Sequence, residues 1–164
     1  MIFQHASELA IRAALYLAQQ APGKLTPVHE IAAHTEVSQA YLAKILGQLT
    51  SSRLVRSFRG PGKGVELAKA PNAISLADVI GAIEGPRKKD ACILGRGSCE
   101  ERNLCPLHVR WIPLRKAIED FLQDTTLADL LSRTDTQQGY AALPLLSAPK
   151  TLTERHRSQE RKRL

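Results

Sequence analysis

Residues 37–69 read VSQAYLAKILGQLTSSRLVRSFRGPGKGVELAK, and the hydrophobic period changes within this stretch. Its first half predicts a helix over about 39–51, because the apolar residues follow the spacing of a one-sided helix: Leu42, Ile45, Leu46 and Leu49. Ser38 precedes this helix and is a residue type that caps helix starts.

The second half of the stretch predicts a β-hairpin. The segment RLVRSFR at 53–59 is typical of a strand, GPGKG at 60–64 of a tight turn, and VELA at 65–68 of a returning strand. A helix followed directly by such a hairpin is typical of a DNA-binding module with a small β wing.

Two helices are predicted before this stretch. The Ala- and Leu-rich residues 6–20 form the first, which ends at APG. Thr26 is predicted to cap the second, about 27–34, with Pro27 as its first helical residue. Helix, helix, tight turn, helix and hairpin make up a winged helix-turn-helix. We therefore expect a mainly α fold with a small β wing.

Three helices are predicted after the hairpin. Ser75 caps the helix over about 75–84, and TTLADLL at 125–131 forms a short final one. Between them, apolar residues spaced 4, 3, 4, 3 form a seam: Leu107, Trp111, Leu114, Ile118 and Phe121. The seam fits a partner helix or the core of its own subunit, and Pro113 either kinks this helix or marks its restart.

These elements suggest four regions. We expect a winged helix-turn-helix domain over 1–85, a cysteine-containing, cluster-binding loop over 86–106 and a dimerisation helix region over 107–132. Residues 133–164 have little periodicity and many basic side chains, so we expect a disordered basic tail.

The charge distribution points to nucleic acid. The chain has 23 Lys and Arg against 16 Asp and Glu, which favours a polyanionic partner. No acidic residue lies between Glu36 and Glu66, whereas this interval contains five cations: Lys44, Arg53, Arg56, Arg59 and Lys63. A one-sign patch on this layout predicts contact with DNA phosphates. No secretory signal or membrane-length apolar run is recognisable, so we expect a cytoplasmic protein with no membrane partner.

All three cysteines, Cys92, Cys99 and Cys105, fall within fourteen residues. A reduced cluster of this kind is more often metal-binding or redox-active than structural. Thiolates are soft ligands suited to zinc, copper(I) and iron–sulfur clusters. A structural Cys₃His zinc site and a metal-free disulfide switch are the alternatives. No phosphate loop, Cys-x-x-Cys motif or carboxylate pair with a base indicates an enzyme.

The segments 37–69 and 74–86 (ISLADVIGAIEGP), together with the cysteine loop, resemble the winged-helix iron–sulfur transcription regulators of the IscR and NsrR type. The resemblance covers about residues 6–131. It implies a homodimer that binds an imperfect palindromic operator in double-stranded DNA. It also implies a [2Fe–2S] or [4Fe–4S] cluster on the cysteines that senses nitric oxide, redox state or iron and cluster status.

Two residues compete as the fourth cluster ligand. His108 follows Cys105 by three residues, and this Cys-x-x-His matches a member with a [2Fe–2S] cluster. Glu8, in ELAIR, is similar to the acidic residue by which the nitric-oxide sensor ligates a [4Fe–4S] cluster of the opposite subunit. Both alternatives remain open at this point.

Seven residues are candidates for DNA contact. Ser38, Gln39 and Tyr41 open the third helix and are expected to reach base edges, with Gln39 able to read adenine. Lys44 and Arg56 are expected to contact phosphate, and Arg59 at the wing is expected to enter the minor groove. The set is Ser38, Gln39, Tyr41, Lys44, Arg56, Arg59 and Lys63.

Overall fold

The computed structural model describes residues 3–60, 63–85 and 106–134, without the side chains of 133 and 134. The chain divides into two units, Met1–Arg133 and Thr134–Leu164. The described elements are α1 (His5–Ala18), α2 (Val28–Thr35), α3 (Gln39–Ser51), β1 (Val55–Ser57), β2 (Val65–Leu67), α4 (Leu76–Glu84), α5 (His108–Asp124) and α6 (Leu127–Thr134). The predicted mainly α fold with a small β wing is confirmed.

A hydrophobic core joins the first four helices and the wing. Helix α1 packs on α2, α3 and α4, and α3 also packs on α2, α4 and β1. The apolar faces of these elements point into this core, and their side chains are among the most deeply buried: Leu9, Ala13, Ile31, Leu42, Ile45, Leu49, Val55, Val65 and Val79. Because α3 is held along its whole inner face, its outer face is presented rigidly to solvent.

The turn between α2 and α3 is a Schellman motif. The Val37 amide donates to the Ala32 carbonyl at 3.2 Å, and the Glu36 amide donates to the Ala33 carbonyl at 3.4 Å. Glu36 has φ 57°, a left-handed conformation that glycine usually supplies at this position. Ser38 then caps α3 by accepting from the Tyr41 amide, so its predicted role as a helix cap is confirmed.

The predicted cap of α2 is wrong. Thr26 is fully buried, and its side chain makes no cap hydrogen bond to α2, whose N-cap residue is Pro27. The Thr26 backbone instead pairs with Val65 through two hydrogen bonds of 2.9 Å. Sheet pairing fixes its orientation, and its Oγ1 atom has no hydrogen-bond partner among the described residues. This pairing attaches the wing to the start of α2.

The wing is shorter than predicted. Strands β1 and β2 are antiparallel, with Arg56 opposite Glu66, and each has three residues. Arg53, which the sequence placed in a strand, has φ 56° and lies in a second Schellman turn that ends α3. In this turn the Leu54 amide donates to the Leu49 carbonyl at 2.9 Å. The helix end therefore uses the residues that were expected to begin the strand.

The C-terminal elements return to the core. Ser75, the predicted cap of α4, forms a capping box with Asp78. Helix α5 continues through Pro113, and the chain then pairs with the start of α4 through a Ser75–Thr126 bridge. Leu127 is completely buried, so α6 begins inside the core, two residues later than expected. None of the described helices is long and apolar enough to cross a membrane.

Candidate DNA-binding surface and cluster ligands

The exposed face of α3 carries the predicted base-reading residues. Ser38 and Gln39 are exposed at its first turn, and Tyr41 is 37% exposed. Lys44 lies one turn further along on the same outer side and is also exposed. The first turn of α3 therefore presents a hydroxyl, an amide and a phenol outward, and these are groups that can hydrogen bond to base edges.

The wing, which packs on α3 through β1, carries further exposed cations. Arg59 and Lys63 are exposed on either side of the wing tip, whose residues 61 and 62 are outside the described part. Arg56 is held differently, because its guanidinium lies 3.0 Å from the Glu66 carboxylate, which is largely buried. A phosphate must compete with that carboxylate for Arg56. Within the described residues, no ion pair involves Lys44, so it is the cleaner test of phosphate contact.

We expect Gln39→Ala and Lys44→Ala to weaken DNA binding in different ways. Loss of the Gln39 amide should reduce operator affinity by about 1–3 kcal/mol but leave binding to random duplex nearly unchanged. Loss of the Lys44 charge should weaken both duplexes alike and lower the slope of log K against log salt by about 1. Fluorescence anisotropy over a salt series measures both. Equal losses on both duplexes for Gln39→Ala would remove the base-reading role.

The predicted cluster ligands are only partly within the described residues. Cys92, Cys99 and Cys105 lie outside them. Glu8 is in the first turn of α1, with its side chain half exposed and its Oε2 atom 3.4 Å from Nδ1 of His5. His108 is the first residue of α5 and is partly buried. In the described ranges, no three His, Cys, Asp or Glu side chains are grouped so as to hold a metal ion.

Glu8 and His108 stand near opposite ends of the cysteine segment. The segment follows Gly85, and the preceding residue, Glu84, hydrogen bonds to the first turn of α1 that carries Glu8. The same segment ends at Cys105, three residues before His108. Three thiolates need one more donor to complete a four-ligand set. The chain offers a carboxylate near the segment's start and an imidazole just after its end.

Helix α5 has an apolar face that its own subunit covers only in part. Leu122 is buried, and Ile118 packs against it in a cluster with Ile11 of α1. Leu114 and Phe121, by contrast, are 55% and 59% exposed. The seam therefore has two parts. Ile118 packs in the core of its own subunit, whereas Leu114 and Phe121 form an exposed surface on which another apolar face can pack.

Sequence reasoning missed the residues that hold the wing in place. Gly64 lies against the Thr26 backbone, and a Cβ atom built on it would lie 2.5 Å from the Thr26 carbonyl carbon. Glu66 holds Arg56. The opposition of Arg56 and Glu66 across a short hairpin was a usable signal, but the sequence carries no local mark of the contact between Gly64 and Thr26.

Comparisons with known proteins place the chain among transcriptional regulators. Residues 3–133 match the family described as "Rrf2: Iron-dependent Transcriptional regulator". The chain is 33% identical to the HTH-type transcriptional regulator IscR of Erwinia tasmaniensis over 126 residues, which are 77% of this chain and 76% of that relative. These proteins regulate transcription and are not enzymes, so the expectation of a non-enzymatic role is confirmed.

Solved structures agree in fold. CymR (YrzC), described as the global cysteine regulator of B. subtilis, has a TM-score of 0.69 and 28% identity over 81% of this chain and 98% of that one. T. potens IscR has a TM-score of 0.66 and 28% identity over 84% of this chain and 93% of its own. The chain is thus similar both to an IscR and to a cysteine regulator.

Proposed function

Because the chain belongs to the Rrf2 family of DNA-binding transcriptional regulators, we propose that it is a homodimer whose operator affinity depends on an iron–sulfur cluster. Cys92, Cys99 and Cys105 would hold this cluster, with Glu8 or His108 as the fourth ligand. One observation carries the proposal most directly. The helices on both sides of the cysteine segment, α4 and α5, pack on each other, and α4 packs on the recognition helix α3.

The donor set fits an iron–sulfur cluster. Three thiolates within one short segment, with a carboxylate or an imidazole near its ends, match the ligand types that such clusters accept. The cysteine spacing lacks the short Cys-x₂₋₄-Cys pairs that are usual in structural zinc sites. A bound cluster supplies thiolate–iron bonds that nitric oxide, oxidants or iron scarcity can break.

DNA would be bound by α3 and the wing of each subunit. The exposed first turn of α3 enters the major groove, and Arg59 and Lys63 follow the adjacent backbone or minor groove. Two subunits related by a twofold axis place two such surfaces on the same duplex. The target is therefore an imperfect palindrome with half-sites one or two helical turns apart.

For regulation, the operator would have to bind one of two arrangements of the dimer more tightly than the other. The cysteine segment follows α4 directly after Gly85, the residue that ends the helix, and α4 contacts both α1 and α3. A change of order in the segment is thereby transmitted to helices that set the position of α3. A coupling of about 1–3 kcal/mol between cluster state and DNA suffices for a switch.

A second candidate function, a metal-free thiol switch, is favoured by the similarity to CymR, because the CymR of Staphylococcus aureus has been solved in an oxidized form. Cys92, Cys99 and Cys105 would then form one disulfide and leave one free thiol. Both candidates use the same cysteines and the same DNA-binding surface. They differ in whether iron and sulfide are present in the protein.

Purification under anaerobic conditions separates the candidates. We expect a coloured protein with stoichiometric iron and sulfide, and we expect Cys92→Ala to lose both the colour and the iron because three thiolates are needed. Of Glu8→Ala and His108→Ala, the variant with an altered visible spectrum identifies the fourth ligand. His5→Ala removes the imidazole that lies 3.4 Å from the Glu8 carboxylate, and it shows whether a changed spectrum comes from loss of that contact alone. Colourless protein with bound zinc, or with neither metal nor sulfide, would contradict the cluster.

A further inference from the structure

The carboxylate of Glu84, the last residue of α4, lies against the first turn of α1. Its Oε1 atom accepts a hydrogen bond of 2.9 Å from the Gln4 amide and one of 2.7 Å from the Ser7 hydroxyl. Ser7 is completely buried. Gln4 is the N-cap residue of α1, and its own side chain makes no cap hydrogen bond. The start of α1 is therefore capped by a residue from another helix.

This contact supplies one half of a capping box from a partner far along the chain. In a capping box, the third helical residue returns a carboxylate to the N-cap amide. Ser7 occupies that third position in α1 and cannot do so, and Glu84 supplies the acceptor from 80 residues beyond Gln4. A carboxylate at a helix N-terminus is also favoured by the helix dipole. The negative charge of Glu84 thus strengthens both hydrogen bonds.

The position of Glu84 links two parts of the proposed switch. Gly85 follows it with φ 79°, and the segment containing the cysteines begins at the next residue. On the other side of the contact, α1 carries Glu8 in the same first turn and packs against α3. Glu84 therefore lies two residues before the cysteine segment and is hydrogen bonded to α1, the helix that packs against the recognition helix α3.

We propose that Glu84 is a positioning residue that transmits the state of the cysteine segment to α1, and through α1 to α3. This inference rests on the proposed function. Movement of the segment at Gly85 shifts Glu84, and its two hydrogen bonds carry that shift to the first turn of α1. Ser7 is buried, so its hydroxyl loses a hydrogen-bond acceptor when Glu84 moves away, and such a loss is costly for a buried group.

The test compares operator affinity with and without the cluster in Glu84→Ala and in a matched control. Asp78→Asn is the control, because Asp78 caps the other end of the same helix through a local capping box with Ser75. Both substitutions remove a carboxylate cap, but Asp78 does not contact α1 through that cap. Glu84→Gln keeps a neutral amide acceptor, as Asp78→Asn does, so these two variants are matched in chemistry. Iron per subunit and melting temperature are measured for each protein.

Allosteric coupling commonly changes affinity about 5–150-fold, and we expect a ratio of cluster-bound to cluster-free affinity in that range for the unsubstituted protein. Glu84→Ala should bring the ratio to within about twofold of one, with iron content unchanged. Glu84→Gln should be intermediate, and Asp78→Asn should keep the original ratio despite a lower melting temperature.

Three results would overturn the inference. If Glu84→Ala kept the affinity ratio of the unsubstituted protein, the Glu84 hydrogen bonds would not transmit the state of the cysteine segment. An equal fall of the ratio in Asp78→Asn would reduce Glu84 to a general stabiliser of α4. If Glu84→Ala or Glu84→Gln folded but no longer took up the cluster, the role of Glu84 would be in cluster loading. A ratio of one in the unsubstituted protein is a different failure, since it removes the proposed switch itself and the inference with it.

Discussion

Gly64→Ala is expected to detach the wing from the start of α2. The new Cβ would lie 2.5 Å from the Thr26 carbonyl carbon and 2.9 Å from the Pro27 nitrogen, both of which are backbone atoms. Backbone held by two hydrogen bonds cannot move aside as a flexible side chain does. Overpacking costs about 1–3 kcal/mol, and we expect the upper end of that range or more, because the Thr26–Val65 hydrogen bonds must also lengthen or break.

Urea unfolding measures the stability loss, and operator binding should fall with it because Arg59 and Lys63 move with the wing. Gly81→Ala is the matched control, since a Cβ at Gly81 of α4 meets no atom within 4 Å. An alanine there should stabilise the protein by about 0.5–1 kcal/mol, as in other helix interiors. A Gly64→Ala protein as stable as the unsubstituted one would mean that the wing is not held by this contact.

Leu114→Glu is expected to dissociate the proposed homodimer. Leu114 is 55% exposed in the described subunit and lies on the face of α5 that its own core leaves uncovered. Burying a leucine contributes roughly 1.5–3 kcal/mol, and in a twofold dimer each substitution acts twice. The dimer dissociation constant should therefore rise roughly 10²–10⁴-fold, and a buried carboxylate adds to this effect. Analytical ultracentrifugation over a concentration series measures the change.

Gln123→Glu is the control for charge on α5. Gln123 is exposed and lies nine residues after Leu114, which places it on the opposite side of the helix. It should leave the dimer intact. A Leu114→Glu protein that remains dimeric with unchanged affinity would place the dimer interface elsewhere. The exposed apolar members of the seam would then be unrelated to self-association.

The sequence predicted those features that depend on nearby residues. Ser38 and Ser75 were identified as helix caps because a cap and its partner lie within three positions of each other. The apolar period of α3 similarly predicted its buried face. These signals are local, and at Ser75 the backbone bridge to Thr126 leaves the side-chain cap in place.

The failures have causes that residue type and periodicity do not reveal. Thr26 looked like a helix cap, but pairing with Val65, 39 positions away, fixed its backbone and turned its hydroxyl inward. Arg53 adopts a left-handed conformation that residue type alone does not predict. A heptad pattern cannot separate Ile118, which packs in a core cluster of its own subunit, from Leu114, which is 55% exposed. The Glu84 contact with Ser7 joins residues 77 positions apart.

The central claim is that one DNA-binding surface has two affinities, set by the state of the cysteine segment. Its most direct test is a titration of cluster-bound protein, cluster-free protein and Cys92→Ala against one operator duplex at a fixed salt concentration. We predict that the first two differ about 5–150-fold, and that Cys92→Ala behaves as the cluster-free protein. Identical affinities for all three would contradict the account and leave the cysteines without a role in DNA binding.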